Sequence, residues 1–278
     1  MSPVVVASYN VHGGVDGWGR PFDVVAACRH IDADVLVLQE SWSPDGSDSV
    51  AGRVARELGY AAVELTLARG RIVTPAADPG GRWGPRLWAR RAHGLRLDRG
   101  PGDRAGARPG ARIDPGVQRG GWGIAVVTRL PIVGTRTIDL PPLPRDPARR
   151  AAVVVDVGGD ASRPRLRVVG THLAHMSQGS PRHLVALRRE LRSMETTQSD
   201  GRTPSVLIGD MNMWGPPLSL MLPGWHRAVR ARSWPTWLAR PVAQSDHILV
   251  PAGVRVVDGD VVGIGGSDHF PVRAVLDV

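Results

Sequence analysis

The sequence predicts a mixed α/β sandwich, in which β-sheets form the inside and a few helices cover the outside. The first observation is that short apolar runs rich in valine, leucine and isoleucine recur between polar or Gly/Pro-rich connections. The second is that few segments carry helical signals. At 278 residues and 42% hydrophobic content, the chain is long enough to bury a substantial core.

Nine of these runs are predicted to be strands, and several are continuous enough to be buried on both faces. In chain order they cover residues 3–10, 33–40, 123–130, 151–158, 165–172, 204–212, 246–251, 254–263 and 271–278. Helices are predicted at 21–31, 48–58 and 180–197. The last begins with Ser-Pro, a helix start signal, and places Leu184, Leu187 and Leu191 on one face with arginines opposite.

The segment from residue 69 to residue 119 interrupts this rhythm, because it is dense in glycine, proline and arginine and has no sustained apolar period. We therefore expect one domain over residues 1–278, with a long loop or partly disordered insertion at 69–119. Two interpretations of the insertion stay open. It is either a solvated loop anchored by Trp83 and Trp88, or a flap whose arginines and tryptophans contact a phosphorylated substrate.

The formal net charge is +9, and all 35 basic residues are arginine. Genomic base composition alone can explain this bias. The distribution of charge adds a second interpretation, because the insertion holds twelve arginines and only four aspartates. A local basic patch is typical of proteins that bind nucleic acid, an anionic lipid head group or another phosphorylated partner.

Composition also excludes or disfavours several classes of protein. No stretch approaches the roughly 20 apolar residues of a transmembrane helix. The N-terminus lacks the basic region and the long apolar run of a signal peptide, so we expect a cytoplasmic protein. We also expect a monomer. Cys28 is the only cysteine, which excludes an intrachain disulfide and a cysteine-based metal site, and its apolar helical context indicates a buried thiol.

Polar and ionisable side chains collect where the strongest predicted strands end or begin. They are Asn10, His12, Gln39, Glu40, His172, His175, Asp210, Asn212, Asp246, Asp268 and His269. A single residue of this kind usually caps a turn. Because packed strands bring their ends to a common rim, the clusters together indicate one functional site.

The chemistry of these side chains favours one class of reaction. Glu40, Asp268 and Asn10 offer the hard oxygen ligands that Mg²⁺ or Mn²⁺ prefers, whereas zinc would want more histidine or cysteine. The candidate acids and bases are Asp210, Asp246 and His269, and the candidate hydrogen-bond donors are Asn212, His172 and His175. The sequence has no nucleophile motif and no P-loop. This set predicts hydrolysis of a phosphate ester by an activated water.

Seven short motifs follow one another along residues 4–275: SYNVHGG, DVLVLQE, GIAVVTRLPI, GTHLAH, VLIGDMN, DHILV and GSDHFPV. In this order they resemble the endonuclease/exonuclease/phosphatase superfamily, which contains pancreatic deoxyribonuclease, AP endonucleases, inositol-polyphosphate 5-phosphatases and neutral sphingomyelinases. The resemblance implies a DNase I-like fold, which is a four-layered α-β-β-α sandwich. It also implies a phosphoric ester hydrolase that depends on Mg²⁺ or Mn²⁺.

The resemblance implies a role for each matching residue. Glu40 would be the main metal ligand, with Asn10 beside it and Asp268 completing the metal region. His269 would be the general acid or base, and the carboxylate of Asp246 would orient its ring and fix its tautomer.

The resemblance further implies contacts with the reacting phosphate. Asp210 would position the attacking water, and Asn212 would donate a hydrogen bond to the pentacovalent phosphate. His172 would contact a phosphate oxygen, and His175 would assist from the same loop. Ile124 stands where many bacterial relatives have asparagine, which would remove one polar contact from the pocket.

Other positions keep two interpretations. Arg129 occupies a common family position and is a candidate for substrate binding, but a salt bridge at a strand end explains it equally well. Trp234 and Trp237 precede the DHILV motif, and they either contact the substrate or anchor the core. His12 could cap a turn only, and His247 is expected to be structural.

Three functions follow from these observations. We favour a nucleic-acid phosphodiesterase, because the basic insertion could track a phosphate backbone. The alternative is a phosphatase or phospholipase C-type hydrolase acting on a phosphoinositide, a sphingolipid or a small phosphorylated metabolite. A catalytically silent anion-binding protein is a third hypothesis, against which the complete set of motif acids and histidines argues. A lipid-surface enzyme should expose tryptophan and leucine, whereas a nuclease should show a basic groove beside the metal site.

Overall fold

The computed structural model describes residues 3–74, 94–98, 116–160, 163–196, 203–236 and 241–278, and its strands form two sheets. The strands are β1 (Val4–Asn10), β2 (Val35–Pro44), β3 (Ala61–Val73), β4 (Gly94–Leu97), β5 (Val117–Thr128), β6 (Ile132–Asp139), β7 (Ala151–Gly159), β8 (Pro164–His172), β9 (Ser205–Asp210), β10 (Trp225–Arg227), β11 (Asp246–Pro251), β12 (Arg255–Val261) and β13 (Val272–Asp277). The α-helices are α1 (Val24–Ile31), α2 (Val50–Leu58), α3 (Ser180–Thr196) and α4 (Gly215–Met221).

The order of the strands places the ends of several of them at one edge. The seven-stranded sheet has the order β12-β13-β1-β2-β5-β3-β4, and the six-stranded sheet has the order β10-β11-β9-β8-β7-β6. Each sheet has a parallel pair near its centre, β1 with β2 and β8 with β9. Parallel neighbours end on the same side, so Asn10 lies beside Gln39 and His172 lies beside Asp210.

The two sheets pack face to face, and helices cover their outer faces. Val168 of β8 joins the core shared with the seven-stranded sheet, whereas the next residue, Val169, packs on the other side with Leu184 and Leu187 of α3. This alternation follows from the two-residue period of a strand. On the opposite side of the molecule, α2 packs on β2, β3 and β5, and α1 packs on α2. The predicted four-layered α-β-β-α sandwich is therefore confirmed.

All nine predicted strands are confirmed, but sequence reasoning missed four others: β3, β4, β6 and β10. Of these, β4, β6 and β10 are edge strands and β3 lies next to an edge. An edge strand buries little of its length, so its sequence carries no continuous apolar run. In β6, for example, most side chains are exposed or half-buried.

The three predicted helices form, and side chains cap the first two. Asp23 accepts a hydrogen bond from Ala26 N at the start of α1, and Ser49 accepts one from Gly52 N at the start of α2. Cys28 is buried in α1, and burial raises the pKa of its thiol to about 12, as expected of a structural cysteine. In the part of the chain that the structure describes, no helix is both long and apolar enough to cross a membrane.

The prediction of a loop over residues 69–119 is wrong where the structure describes this segment. β3 continues to Val73, β4 covers Gly94–Leu97, and β5 already begins at Val117. β4 pairs with β3 in antiparallel register, and its backbone hydrogen bonds cannot be read from composition. Residues 75–93 and 99–115, including both predicted anchors, Trp83 and Trp88, lie outside the described residues.

Candidate active site

A cavity of about 720 Å³ opens where the strand ends of the two sheets meet. Predicted site residues that line it are Glu40, His172, His175, Asp210, Asn212, Trp234 and His269. Asn10 and Asp246 are buried behind this surface and bond to residues that line it. The expectation that the polar clusters share one rim therefore agrees with the geometry.

Glu40 reaches the cavity through an irregularity in β2. The strand does not end at Glu40, as the sequence suggested, but continues to Pro44. The register against β5 shifts between Gln39 and Ser41, and Glu40 has a φ of 55°. A β-bulge of this kind bends the strand and changes the direction of one side chain. Left-handed backbone is costly for a residue with a Cβ, and such positions often occur at functional sites.

His12 lies between two carboxylates. Its Nδ1 is 3.2 Å from Oε2 of Glu40 and 3.6 Å from Oδ1 of Asp268. Burial disfavours a charge on this ring, but Asp268 and then Glu40 raise the pKa of His12 to about 9. The donation from His12 also helps, against burial, to hold the pKa of Glu40 well below its ordinary value. Glu40 is therefore ionised, and its carboxylate and that of Asp268 flank one cationic ring.

These residues fit a divalent cation. The carboxylates of Glu40 and Asp268 both lie within 4 Å of one atom, Nδ1 of His12, and carboxylate oxygens are ligands that Mg²⁺ and Mn²⁺ prefer. Asn10 is placed differently from the predicted ligand, because its Oδ1 accepts a hydrogen bond from His12 N. Its Nδ2 donates to Glu40 at 3.2 Å and to Asp210 at 3.1 Å. Asn10 thus holds two carboxylates in place.

A second group, formed by Asp210, Asp246 and His269, also brings three ligand atoms within 4.8 Å of one another. One nitrogen of the His269 ring is already engaged, because Nδ1 is 2.9 Å from Oδ2 of Asp246. The same Oδ2 accepts hydrogen bonds from Ser233 at 2.6 Å and Ser245 at 3.0 Å. This group therefore fits an acid/base dyad better than a metal site.

The dyad fixes the state of His269. Burial opposes a charge on the ring, but Asp246 and then Asp268 raise the pKa of His269 to about 10. Burial would also raise the pKa of Asp246, yet the charge and hydrogen bond of His269 keep it below its ordinary value. With Nδ1 held by Asp246, the other ring nitrogen, Nε2, lies 3.9 Å from Oδ2 of Asp210.

Asp210 lies at the centre of the site. Its Oδ2 is also 3.8 Å from Nε2 of His172, and its Oδ1 accepts a hydrogen bond from Asn212 N at 2.8 Å. Burial, and then the charge of Asp246, raise the pKa of Asp210 to about 7. Asp210 is thus a carboxyl group that can exchange a proton near neutral pH.

His172 and Asn212 form one hydrogen-bonded unit. Nδ2 of Asn212 lies 3.1 Å from Nε2 of His172 and donates to Leu173 O at 3.0 Å. Burial, and then the charge of Arg150, lower the pKa of His172 to about 3, so its ring is neutral. A neutral Nε2 can accept from the amide, which fixes the orientation of Asn212.

Sequence reasoning missed a layer of residues behind His172. Trp122 contacts the ring of His172, with 5.2 Å between the ring centroids, and the guanidinium of Arg150 lies 5.0 Å from the Trp122 ring. Arg150 is buried and pairs with Asp146 at 2.7 Å. The only signal in the sequence was an arginine directly before β7, which is not unusual in a chain with 35 basic residues.

Sequence reasoning also undervalued three further positions: His12 and the two serines that bond to Asp246. A histidine two residues after a strand usually has a structural role, and its position between carboxylates from distant segments depends on the tertiary fold. Ser245 directly precedes Asp246 in the sequence, whereas Ser233 reaches it from another loop. A single serine carries no sequence motif that would predict a hydrogen bond to Asp246.

Some predicted residues are not part of this group. Arg129 lies at the other end of β5, where it pairs with Asp34 at 2.6 Å and Asp32 at 3.2 Å. A salt bridge at a strand end therefore accounts for it. Trp234 lines the cavity, with its ring centroid 6.3 Å from that of His269. Trp237 lies outside the described residues.

His247 and Ile124 both face away from the cavity. Nε2 of His247 contacts Met213 O at 2.9 Å, and the side chain is fully buried on the face of β11 opposite to Asp246. Ile124 is buried in the core between the sheets. The structural interpretation of His247 agrees with this geometry.

We predict that His247 makes the stability of the protein depend on pH. Burial lowers the pKa of His247 from 6.5 to about 4, so the unfolded chain binds a proton there at a higher pH than the native protein does. The stabilisation is present above pH 6.5 and is lost as the pH falls toward 4. Protonation of this residue should lower the free energy of unfolding by roughly 3 kcal/mol over the whole range, and by roughly 2 kcal/mol between pH 6.5 and pH 4.5.

Urea unfolding of the wild type and of His247→Gln at pH 6.5 and pH 4.5 should measure the effect. The free energy of unfolding of His247→Gln should change less between the two pH values, because glutamine does not titrate. The matched control is His30→Gln, which changes an exposed histidine of α1. If both variants keep the full wild-type pH dependence, other groups cause it.

Comparisons with known proteins agree with this architecture. The model of the endonuclease/exonuclease/phosphatase family matches residues 7–269. The chain is 22% identical to the endonuclease/exonuclease/phosphatase from Beutenbergia cavernae, with a TM-score of 0.61, over 100% of this chain and 72% of that one. It is 15% identical to ANGEL2, described as a 2′,3′-cyclic phosphatase, with a TM-score of 0.62 over 99% and 95% of the two chains.

A humanised TDP2 from D. rerio is 15% identical, with a TM-score of 0.61 over 100% of both chains. No curated protein matches this chain by sequence. The two-sheet sandwich and the acid/histidine cluster at one edge define a DNase I-like phosphoesterase fold. The chain belongs to the endonuclease/exonuclease/phosphatase family. Members of this family are generally hydrolases of phosphate esters and typically depend on a divalent metal.

Proposed function

We propose that the protein is a divalent-metal-dependent phosphoesterase that hydrolyses a phosphate ester by attack of an activated water. The observation that carries this proposal is the placement of two groups in one cavity. The carboxylates of Glu40 and Asp268 flank Nδ1 of His12, and the Asp246–His269 dyad lies on the other side of Asp210. This arrangement would hold a cation beside a proton-transfer pair, so that both could act on one phosphate.

Glu40 and Asp268 would hold the metal, and Asn10 would orient Glu40. When bound, Mg²⁺ or Mn²⁺ supplies positive charge that stabilises the negative charge developing on the phosphoryl oxygens. Assays with Mg²⁺ and with Mn²⁺ would identify the preferred metal. The roles of the remaining residues follow from their hydrogen bonds.

The dyad and Asp210 divide the work of moving protons. Asp246 holds Nδ1 of His269, so Nε2 is the atom that can donate to a phosphate oxygen or to the leaving group. Oδ2 of Asp210 can hold the attacking water and accept its proton. Oδ2 of Asp246 is less suited to that task, because Ser233, Ser245 and His269 already occupy it.

Asn212 would stabilise the negative charge of the transition state, and the neutral ring of His172 would orient its amide. Nδ2 of Asn212 contacts Nε2 of His172 and Leu173 O. If a phosphate oxygen replaces one of these two acceptors, Nδ2 can donate a hydrogen bond to the phosphate. The backbone of Asn212 is left-handed, with a φ of 48°, and its N–H donates to Oδ1 of Asp210. His175 lies at the rim of the cavity and can contact a larger substrate.

Nucleic acid and an apolar phosphoester are the two candidate substrates. The arginines of residues 69–119 favour nucleic acid. The part of that segment described at the cavity favours the second candidate, because Leu95 and Leu97 of β4 line the wall and Arg96 between them is exposed. Among the described lining residues the one arginine is Arg150, which pairs with Asp146.

The full chain should hydrolyse bis(p-nitrophenyl) phosphate in the presence of Mg²⁺ or Mn²⁺. A chelator should abolish the reaction, because the carboxylate pair then lacks its cation. Added metal should restore it. A panel of DNA, RNA, 2′,3′-cyclic adenosine phosphate, phosphoinositides, sphingomyelin and sugar phosphates should identify the substrate class. If the folded protein is inert on the whole panel with either metal, the anion-binding hypothesis replaces this one.

A further inference from the structure

An uncharged, exposed segment adjoins the active cavity. Residues 214–224, WGPPLSLMLPG, contain no charged side chain in a protein whose charged residues make up 22% of the total. They form α4 and its flanks. Trp214 is 59% exposed and Leu220 is 84% exposed. Exposed apolar side chains of this size, placed together, mark a surface that contacts another apolar phase.

The same mouth carries two further exposed apolar side chains. Met176, on the turn after β8, is 40% exposed, and Val242, before β11, is 57% exposed. Three of the six large apolar side chains that are exposed in the described residues line this one cavity: Met176, Trp214 and Val242. Chance would scatter them over the surface. Their concentration makes the apolar surface continuous with the catalytic site.

Positive charge lies beside this apolar surface. Gln178, on the turn that carries Met176, donates its side-chain amide to Arg145 O at 3.0 Å. Arg182 N donates to Gly179 O at the end of the same turn. The side chains of Arg145 and Arg182 are both exposed. Arginines next to exposed apolar groups match an anionic lipid surface, which attracts positive charge.

We propose that the apolar mouth formed by Met176, Trp214 and Val242, together with Leu220 of the adjoining α4, docks the protein on an anionic lipid surface. Tryptophan and leucine enter the interface between head groups and acyl chains, while Arg145 and Arg182 contact the head groups. The cavity then faces the lipid, so a phosphoester in that surface reaches the catalytic groups without crossing water. Only this last point rests on the proposed function, since docking itself requires no catalysis.

Co-sedimentation of the full chain with vesicles tests the proposal without any turnover. One set of vesicles is made of phosphatidylcholine, and the other mixes phosphatidylcholine with phosphatidylserine. We expect binding to the mixed vesicles, and weaker binding as salt increases. Leu220→Glu should lower the partition coefficient by about ten-fold, because one leucine no longer leaves water. Arg182→Gln should lower it by about five-fold on mixed vesicles.

The matched control is Val257→Glu, which places the same charge on an apolar side chain that is 52% exposed on β12 and does not line the cavity. This control should bind like the wild type. Equal losses in Val257→Glu and Leu220→Glu would overturn the proposal, as would failure of the wild type to bind either vesicle. If the wild type instead self-associates and Leu220→Glu is monomeric, the surface joins two copies. If bis(p-nitrophenyl) phosphate is hydrolysed while vesicles are ignored, the proposed function stands and the docking surface does not.

Discussion

His269→Ala is expected to lower kcat for bis(p-nitrophenyl) phosphate by about 10³-fold, which is the usual contribution of a positioned acid or base. Nε2 of the cationic His269 ring lies 3.9 Å from Oδ2 of Asp210, whereas the other imidazole near this oxygen, that of His172 at 3.8 Å, is neutral. Removal of the ring also leaves Asp246 without its cationic partner. Its remaining hydrogen bonds, from Ser233 and Ser245, should keep the loop folded.

Rescue by added imidazole distinguishes a catalytic role of the His269 ring from a purely structural one. The alanine variant leaves a space of the size of the lost ring, so free imidazole should restore part of kcat in His269→Ala and have no effect on the wild type. His30→Ala serves as the matched control, because it removes an exposed imidazole far from the cavity lining. Thermal unfolding of both variants verifies that the fold is intact.

His247→Ala provides the contrasting result within a repeated sequence. The tripeptide Ser-Asp-His occurs at 245–247 and again at 267–269, yet the working histidine belongs to the second copy. Loss of His247 removes a buried partner of Met213 O and should destabilise the fold, while kcat of the folded fraction stays near that of the wild type. If His247→Ala loses as much kcat as His269→Ala, the assignment of the dyad is incorrect.

The sequence was sufficient to predict the layers and the position of the site, because both depend on local patterns. Buried central strands are continuous apolar runs, and the site occupies the places where those runs end. The edge strands β4, β6 and β10 were missed since half-buried strands lack such runs. The extent of the loop at 69–119 was overestimated for the same reason, because the alternation Leu95-Arg96-Leu97 is too short to recognise within a Gly/Pro-rich segment.

Details of the site that arise from tertiary contacts could not be predicted. The bulge that turns Glu40 depends on the pairing of β2 with β5, whose strands are far apart in sequence. The position of His12 depends on Asp268, from the far end of the chain. Arg150 is distinguished from other arginines only by burial against Trp122. Residue types thus indicated the chemistry, whereas the geometry had to come from the fold.

Glu40→Gln is expected to lower kcat/KM by about 10³-fold, because several kcal/mol of charge stabilisation by the metal are lost. Glutamine keeps the size of the side chain and can still accept from Asn10, so the left-handed position in β2 should be preserved. The lost charge weakens the carboxylate pair that would hold the cation. Higher Mn²⁺ concentrations should therefore be needed for half-maximal activity.

Binding of Mn²⁺ can be measured apart from activity, by electron paramagnetic resonance of the free ion and by the rise in Tm that a ligand of the native state causes. Wild-type protein should bind Mn²⁺ and gain thermal stability, and Glu40→Gln should do so only at higher concentrations. Glu57→Gln is the matched control, since it removes an exposed carboxylate of α2 whose nearest ion pair, with Arg56, spans 3.8 Å.

The comparison of Glu40→Gln with Asp246→Asn decides between the two groups of possible ligands. If Glu40 and Asp268 hold the cation, Asp246→Asn should lower kcat while Mn²⁺ binding stays as in the wild type, because Asp246 only orients His269. If the cation instead occupies the group of Asp210, Asp246 and His269, Asp246→Asn should abolish Mn²⁺ binding and Glu40→Gln should spare it. The geometry favours the first outcome, since the carboxylates of Glu40 and Asp268 flank one atom, whereas Asp246 already holds Nδ1 of His269.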